Sequence, residues 1–128
     1  MSSMSILNRL ARPLAMVALF ALGLSGPASA HANLVSSTPA ANSTAAKSVQ
    51  EVRLKFSETI EVKLSKVSIK GPQGEVAASA MVLDPKDRTV LVLSFAAPLS
   101  AGRYIVDWGA VAADTHKTHG TFSFTVQS

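Results

Sequence analysis

Apolar and polar residues alternate along much of the chain beyond residue 50, a pattern typical of β-strands that bury one face. The alternation is clearest in residues 52–56, 67–69, 104–108 and 122–126. Residues 89–93 are apolar almost without interruption, which predicts a central strand or one covered on both sides. The pattern therefore predicts an all-β protein.

Turn residues separate these segments. Gly71-Pro72-Gln73-Gly74 and Asp84-Pro85-Lys86-Asp87 are both predicted turns. Residues 32–36 are predicted to form an edge strand that ends at Pro39, and residues 40–48 form a polar loop. About seven short strands at intervals of about 8–15 residues predict an antiparallel sandwich or barrel.

The N-terminal segment has the organisation of a secretory signal peptide. Arg9 and Arg12 precede an apolar run at residues 14–24, and the run is followed by the small-residue pattern Ala28-x-Ala30. The run is shorter than the ~20 apolar residues that a membrane span needs, although an uncleaved anchor is the alternative. We predict cleavage after Ala30, so that residues 1–30 are the signal peptide and residues 31–128 form one mature domain.

Composition excludes several classes of function. The chain has no cysteine, which rules out thiol nucleophiles, zinc ribbons, blue-copper sites and disulfides. The predicted signal peptide holds two of the 12 basic residues and none of the 8 acidic ones, so the mature domain is only weakly basic. This small and dispersed excess argues against a nucleic-acid partner.

The chain has three histidines, and their placement predicts a metal site. Cleavage after Ala30 would make His31 the first mature residue, with an α-amine beside its imidazole. Asp114 and His116 lie two residues apart in a stretch between two predicted strands, so on an extended chain their side chains point to one side. These nitrogen and oxygen donors suit tetragonal Cu(II), although Zn(II) and Ni(II) also accept them. The alternative is that Asp114 caps a loop and the histidines are solvated.

Two further residues are weaker candidates. His119 lies three residues after His116, and we interpret it as an exposed loop histidine without a ligand role. Glu58 follows a predicted strand and by itself resembles a solvated turn acid.

The chain resembles the CopC family of periplasmic copper-resistance proteins over essentially all of residues 31–128. The matching segments are His31-Ala32-x-Leu34, Ser37-x-Pro39-Ala40, Val52-x-Leu54-x-Phe56-Ser57-Glu58, Pro98-Leu99-x-x-Gly102-x-Tyr104-x-Val106-x-Trp108 and Asp114-x-His116-x-x-x-Gly120-x-Phe122-x-Phe124-x-Val126. A mature N-terminal histidine combined with the closing Asp-x-His-x-x-x-Gly is specific, whereas a lone Asp-x-His would not be.

The resemblance implies a seven-stranded antiparallel Greek-key sandwich or barrel, cupredoxin- or immunoglobulin-like, that binds Cu(II) at one end. It implies that the ligands are the amine and imidazole of His31 with Asp114 and His116. It also implies that Glu58 accepts a hydrogen bond that orients an imidazole or the amine without binding the metal itself. Family members with a second, Cu(I) site use a methionine-rich stretch. Met81 is the only methionine after residue 30, so we expect one Cu(II) per mature chain.

We therefore predict a periplasmic, monomeric Cu(II)-binding protein, not an enzyme, that buffers copper, confers resistance or delivers copper to an inner-membrane copper transport protein. A copper mono-oxygenase with a histidine brace is one alternative, and a metal-free β-sandwich interaction module is another.

Overall fold

The computed structural model describes residues 31–46 and 48–128, so the predicted signal peptide lies outside the described residues. Two β-sheets pack face to face in this part of the chain. The strands are β1 (Leu34–Thr38), β2 (Thr44–Ala45), β3 (Glu51–Phe56), β4 (Lys66–Gly71), β5 (Gly74–Val76), β6 (Ala80–Leu83), β7 (Val90–Ser94), β8 (Gly102–Val111) and β9 (Lys117–Val126). A 3₁₀ turn, Val62–Leu64, precedes β4. No helix in the described ranges is long and apolar enough to cross a membrane.

The first sheet has the strand order β1-β3-β7-β6, and the second has the order β2-β9-β8-β4-β5. Neighbouring strands are antiparallel except β2 and β9, which run parallel. The two longest strands, β8 and β9, form a hairpin in which Gly102 faces Val126 and Val111 faces Lys117. The loop of this hairpin, residues 112–116, therefore projects from one end of the sandwich.

The alternation in the sequence places the core between the two sheets. Val52, Leu54 and Phe56 point inward from β3, and Tyr104, Val106 and Trp108 point inward from β8. Strand β7 has a continuous buried run because β3 and β6 flank it and the second sheet covers it. Burial of these side chains supplies the main stabilisation of a domain that has no disulfide.

Aromatic rings of β8 lie close to glycines on neighbouring strands at two places. A Cβ atom on Gly71 would lie 2.4 Å from Cε2 of Tyr104, and one on Gly120 would lie 2.7 Å from Cζ2 of Trp108. The rings occupy the space that any larger residue would need. This packing explains why glycine closes the Asp114-to-Gly120 motif.

The structure confirms the all-β sandwich, the β1 edge strand ending before Pro39, the turn at residues 71–74 and the covered strand β7. The described residues contain nine strands, against about seven predicted, and β2, β5 and β6 lie outside the segments that the sequence predicts. Strand β2 lies inside the predicted polar loop, where its two residues pair with the end of β9. Strand β5 has only three residues, so neither is long enough to show an alternating pattern.

Candidate metal centre

The loop between β8 and β9 is closed by its own backbone. The N–H of Ala112 donates to the carbonyl of His116 (3.0 Å), and the N–H of Thr115 donates to the carbonyl of Ala112 (2.9 Å). Thr115 has a φ of 70°, in the left-handed region that β-branched residues rarely adopt. The tight turn therefore places Asp114 and His116 on either side of a strained residue, at the exposed end of the hairpin.

Asp114 holds His116 through both carboxylate oxygens. Oδ1 accepts the backbone N–H of His116 (3.1 Å), and Oδ2 lies 2.9 Å from the ring Nδ1 of the same residue. The backbone N–H and then the ring of His116 hold the pKa of the Asp114 carboxyl below its ordinary value, and His31 adds a smaller attraction. The carboxylate is therefore ionised and fixes the direction of the imidazole.

His31 lies beside this pair, although 85 positions separate it from His116 in the sequence. The centroids of the His31 and His116 rings are 4.6 Å apart, with the ring planes nearly perpendicular at 86°. Both rings lie at the exposed end of the sandwich. The structure thus brings together all three predicted ligand residues.

The segment that carries His31 is hydrogen-bonded to residues of both sheets. The hydroxyl of Ser57, directly after β3, donates to the His31 carbonyl (3.0 Å) and accepts the N–H of Asn33 (2.9 Å). The hydroxyl of Thr118, in β9, donates to the carbonyl of Ala32 (2.7 Å). Ala32 itself is fully buried.

Aromatic side chains pack in the core directly below this end of the sandwich. Phe56 packs edge-on against Trp108 at a centroid distance of 5.4 Å, and Trp108 covers Gly120. Phe56 immediately precedes Ser57, and Gly120 lies two residues after Thr118 in β9. The two aromatic residues therefore pack close to the positions from which the Ser57 and Thr118 hydroxyls bond to residues 31–33.

Glu58 is half-buried after β3, and within the described residues its side chain makes no hydrogen bond to His31, Asp114 or His116. Its predicted orienting role stays a prediction. The residue that contacts residues 31–33 is its neighbour Ser57, which the sequence analysis did not predict, and the same is true of Thr118. The sequence offered one indication of their role. Ser57 directly precedes Glu58 and Thr118 directly precedes His119, so both hydroxyls lie within the motifs that resemble the CopC family.

His119 is exposed, as predicted, but it lies in β9 and not in a loop. It pairs with Gly109 of β8 and, with Lys66, lines a shallow surface depression. It therefore faces the outside of the second sheet.

Across residues 31–46 and 48–128, no cluster of three or more histidine, cysteine, aspartate or glutamate side chains is arranged to hold a metal ion unaided. His31, Asp114 and His116 therefore do not by themselves form such a cluster. The α-amine that cleavage after Ala30 would create on His31 would be a further donor. Its nitrogen, two imidazoles and a carboxylate would form a set of the kind that divalent copper binds.

A family model described as the CopC domain matches residues 34–127, which include Asp114 and His116 and begin three residues after His31. The chain belongs to the CopC family.

Two CopC-family relatives are proteins named copper resistance protein C. The one from Escherichia coli is 37% identical over 134 residues, covering 97% of this chain and 100% of the relative. The one from Pseudomonas syringae pv. tomato is 40% identical over 119 residues, covering 87% and 94% respectively. The crystal structure of PcoC, a methionine-rich copper resistance protein from Escherichia coli, superposes with a TM-score of 0.69 at 36% identity and covers 77% of this chain and 100% of that chain.

These matches confirm the predicted family and the predicted fold. CopC proteins are copper-resistance proteins and not enzymes, which also confirms that prediction.

Proposed function

We propose that the mature chain is a periplasmic protein that binds one Cu(II) through the α-amine and imidazole of His31, the carboxylate of Asp114 and the imidazole of His116. The observation that carries this proposal is the 4.6 Å separation of the His31 and His116 rings, with Asp114 bound to the latter. Cleavage after Ala30 would complete the set, because in the precursor the His31 nitrogen belongs to a peptide bond.

The chemistry of the donors supports Cu(II). Nitrogen and carboxylate donors without sulfur suit a tetragonal centre, and Cu(II) binds most strongly among the divalent first-row metals. A Cu(II) ion bound by both Asp114 and His116 would take the place of the hydrogen bond between Oδ2 and Nδ1, because the other ring nitrogen points away from the carboxylate. Zn(II) and Ni(II) are expected to bind the same residues more weakly.

The distribution of methionine supports a single copper site. PcoC is described as methionine-rich, whereas this chain has only Met81 after residue 30. Met81 lies in β6 and packs against the hydrophobic core, so it contributes to folding. A cluster of thioethers, the donors that Cu(I) prefers, cannot be assembled from one residue.

We infer that the protein acts as a monomer that buffers copper in the periplasm or delivers it to an inner-membrane copper transport protein. The copper resistance proteins among its relatives support a role in copper tolerance. Cells that lack the protein are expected to lose copper tolerance, and the wild-type gene should restore it whereas His116→Ala should not.

The position of the chain end provides the direct test of the site. A chain that begins at His31 is compared with one that retains Ala30, and a chain with one residue added after Ser128 is the control. Retention of Ala30 converts the His31 α-amine into a peptide nitrogen and moves the free amine to Ala30, without altering the other ligands, so we expect Cu(II) affinity to fall by about 100-fold or more. Affinity is measured by competition with a chelator, and nitrogen coordination by electron paramagnetic resonance. Equal affinity of the chains with and without Ala30 would contradict the proposal.

A further inference from the structure

The short segment 31–33 is held by two hydroxyls that no predicted ligand set includes. We propose that Ser57 and Thr118 are positioning residues, which fix this segment between the two sheets before any metal arrives and thereby set the affinity for copper. The inference rests on the proposed function, because it concerns the placement of His31 as a ligand.

Ser57 fastens the segment to the first sheet. Its hydroxyl bridges the His31 carbonyl and the Asn33 N–H, at 3.0 and 2.9 Å. Its backbone N–H also donates to the Asn33 carbonyl (2.8 Å). Loss of the hydroxyl therefore removes two of these three bonds and leaves the backbone contact.

Thr118 fastens the same segment to the second sheet. Its hydroxyl donates to the carbonyl of Ala32 over 2.7 Å. The methyl group of Ala32 is fully buried, so this residue is held by packing as well as by the hydrogen bond. The residue that directly follows His31 is therefore held in place by packing and by a hydrogen bond from the second sheet.

Placement matters here because the first residues of a chain normally fray. A ligand on a frayed end must be ordered when the metal binds, and that entropy cost weakens the affinity. A ligand already held beside its partners avoids the cost. Ser57 and Thr118 touch no metal in this scheme, and they act through the backbone of residues 31–33.

The first measurement uses the metal-free mature protein, so it does not depend on copper. Hydrogen exchange of the Asn33 amide is followed by nuclear magnetic resonance in wild type, Ser57→Ala and Thr118→Val. We expect exchange to accelerate about fivefold or more in Ser57→Ala, because the amide loses its acceptor, and to accelerate in Thr118→Val, because the segment opens more often. Ser79→Ala and Thr121→Val are matched controls that each remove one hydroxyl bond elsewhere.

The second measurement is Cu(II) affinity in the same proteins. Each single variant is expected to bind about fivefold more weakly, and the double variant about 20-fold more weakly, since each removes interactions that hold the ligand in place. The electron paramagnetic resonance spectrum should be unchanged, because every ligand remains. Ser57→Thr and Thr118→Ser retain a hydroxyl and should restore both the affinity and the slow exchange.

The outcomes separate this inference from the proposed function. Faster Asn33 exchange, weaker copper binding and rescue by the hydroxyl-retaining variants support it. Unchanged Asn33 exchange, or affinity equal to wild type in Ser57→Ala and Thr118→Val, would overturn it even when His31 is a ligand. If wild type binds copper without the His31 nitrogens, the proposed function itself fails.

Discussion

Two turns of the sandwich use aspartate in the same way and differ in what the aspartate faces. In the turn before β7, Oδ1 of Asp87 accepts the backbone N–H of Thr89 over 3.1 Å. In the turn before β9, Oδ1 of Asp114 accepts the backbone N–H of His116, also over 3.1 Å. Each bond spans two residues and closes a local turn.

The second oxygen distinguishes the two turns. Oδ2 of Asp87 lies 3.0 Å from the ammonium of Lys55, whereas Oδ2 of Asp114 lies 2.9 Å from the ring of His116. A lysine ammonium has no lone pair for a metal, while a neutral imidazole is a common metal ligand. The aspartate alone therefore does not define a metal site, and the nature of its partner decides the chemistry.

The largest effect is expected when the Asp114 turn is given the lysine partner that the Asp87 turn has. His116→Lys keeps the backbone N–H that closes the turn but replaces the proposed imidazole ligand with a positive charge. We expect Cu(II) affinity to fall by at least about 100-fold, through ligand loss and charge repulsion. Competition titration measures the affinity, and circular dichroism checks that the fold is retained. Copper binding at the wild-type level would show that His116 is only a partner of Asp114.

Removal of each aspartate should give unequal results. Asp114→Ala is expected to lower Cu(II) affinity about 10- to 100-fold, because one anionic ligand is lost while the nitrogens remain. Asp87→Ala, the matched control, should change the affinity by less than about twofold. Equal effects of the two variants on copper titrations would remove the distinction between the turns.

Substitution of the glycine that packs against Trp108, near the Asp114 turn, is expected to have a smaller effect on copper affinity. Gly120→Ala and Gly71→Ala each push a methyl group into an aromatic ring and should each lower the free energy of unfolding by about 1–3 kcal/mol. Only Gly120→Ala should also weaken copper binding, by a few-fold, because Trp108 supports that end of the sandwich. Chemical denaturation and copper titration of both variants measure the two effects. Weaker copper binding in Gly71→Ala as well would indicate a general effect of stability.

The smallest expected effect concerns acid stability. Hydrogen bonds from the Thr89 hydroxyl and from Lys55 lower the pKa of Asp87 to about 2, from the ordinary value of 3.8. The folded state thus favours the carboxylate, so this stabilisation is complete above about pH 4 and is lost as the pH falls towards 2. The difference in Tm between wild type and Asp87→Asn should therefore shrink over that interval in metal-free protein. A difference that stays constant from pH 5 to pH 2 would contradict this origin.

The sequence was sufficient for most of the fold because alternation directly encodes which face of each strand is buried. The proximity of Asp114 and His116 was also predicted correctly, but the conformation that produces it differs from the predicted one. They meet across a turn in which Thr115 has a φ of 70°, not along an extended chain. The roles of Ser57 and Thr118 were not predictable, because their backbone partners lie 26 and 86 positions away and no periodicity links them.

The buried methyl group of Ala32 fixes the position of this residue in the fold, and it therefore limits where the first residue of the mature chain can lie. One residue separates this fixed point from position 30, and each residue spans at most about 3.3–3.6 Å. A chain that started one residue earlier would carry its α-amine on Ala30 and not on His31, and a chain that started one residue later would lack the His31 imidazole. Under the proposed function, signal peptidase must therefore cut at this one bond, and we expect errors in export processing to produce folded protein that binds copper weakly.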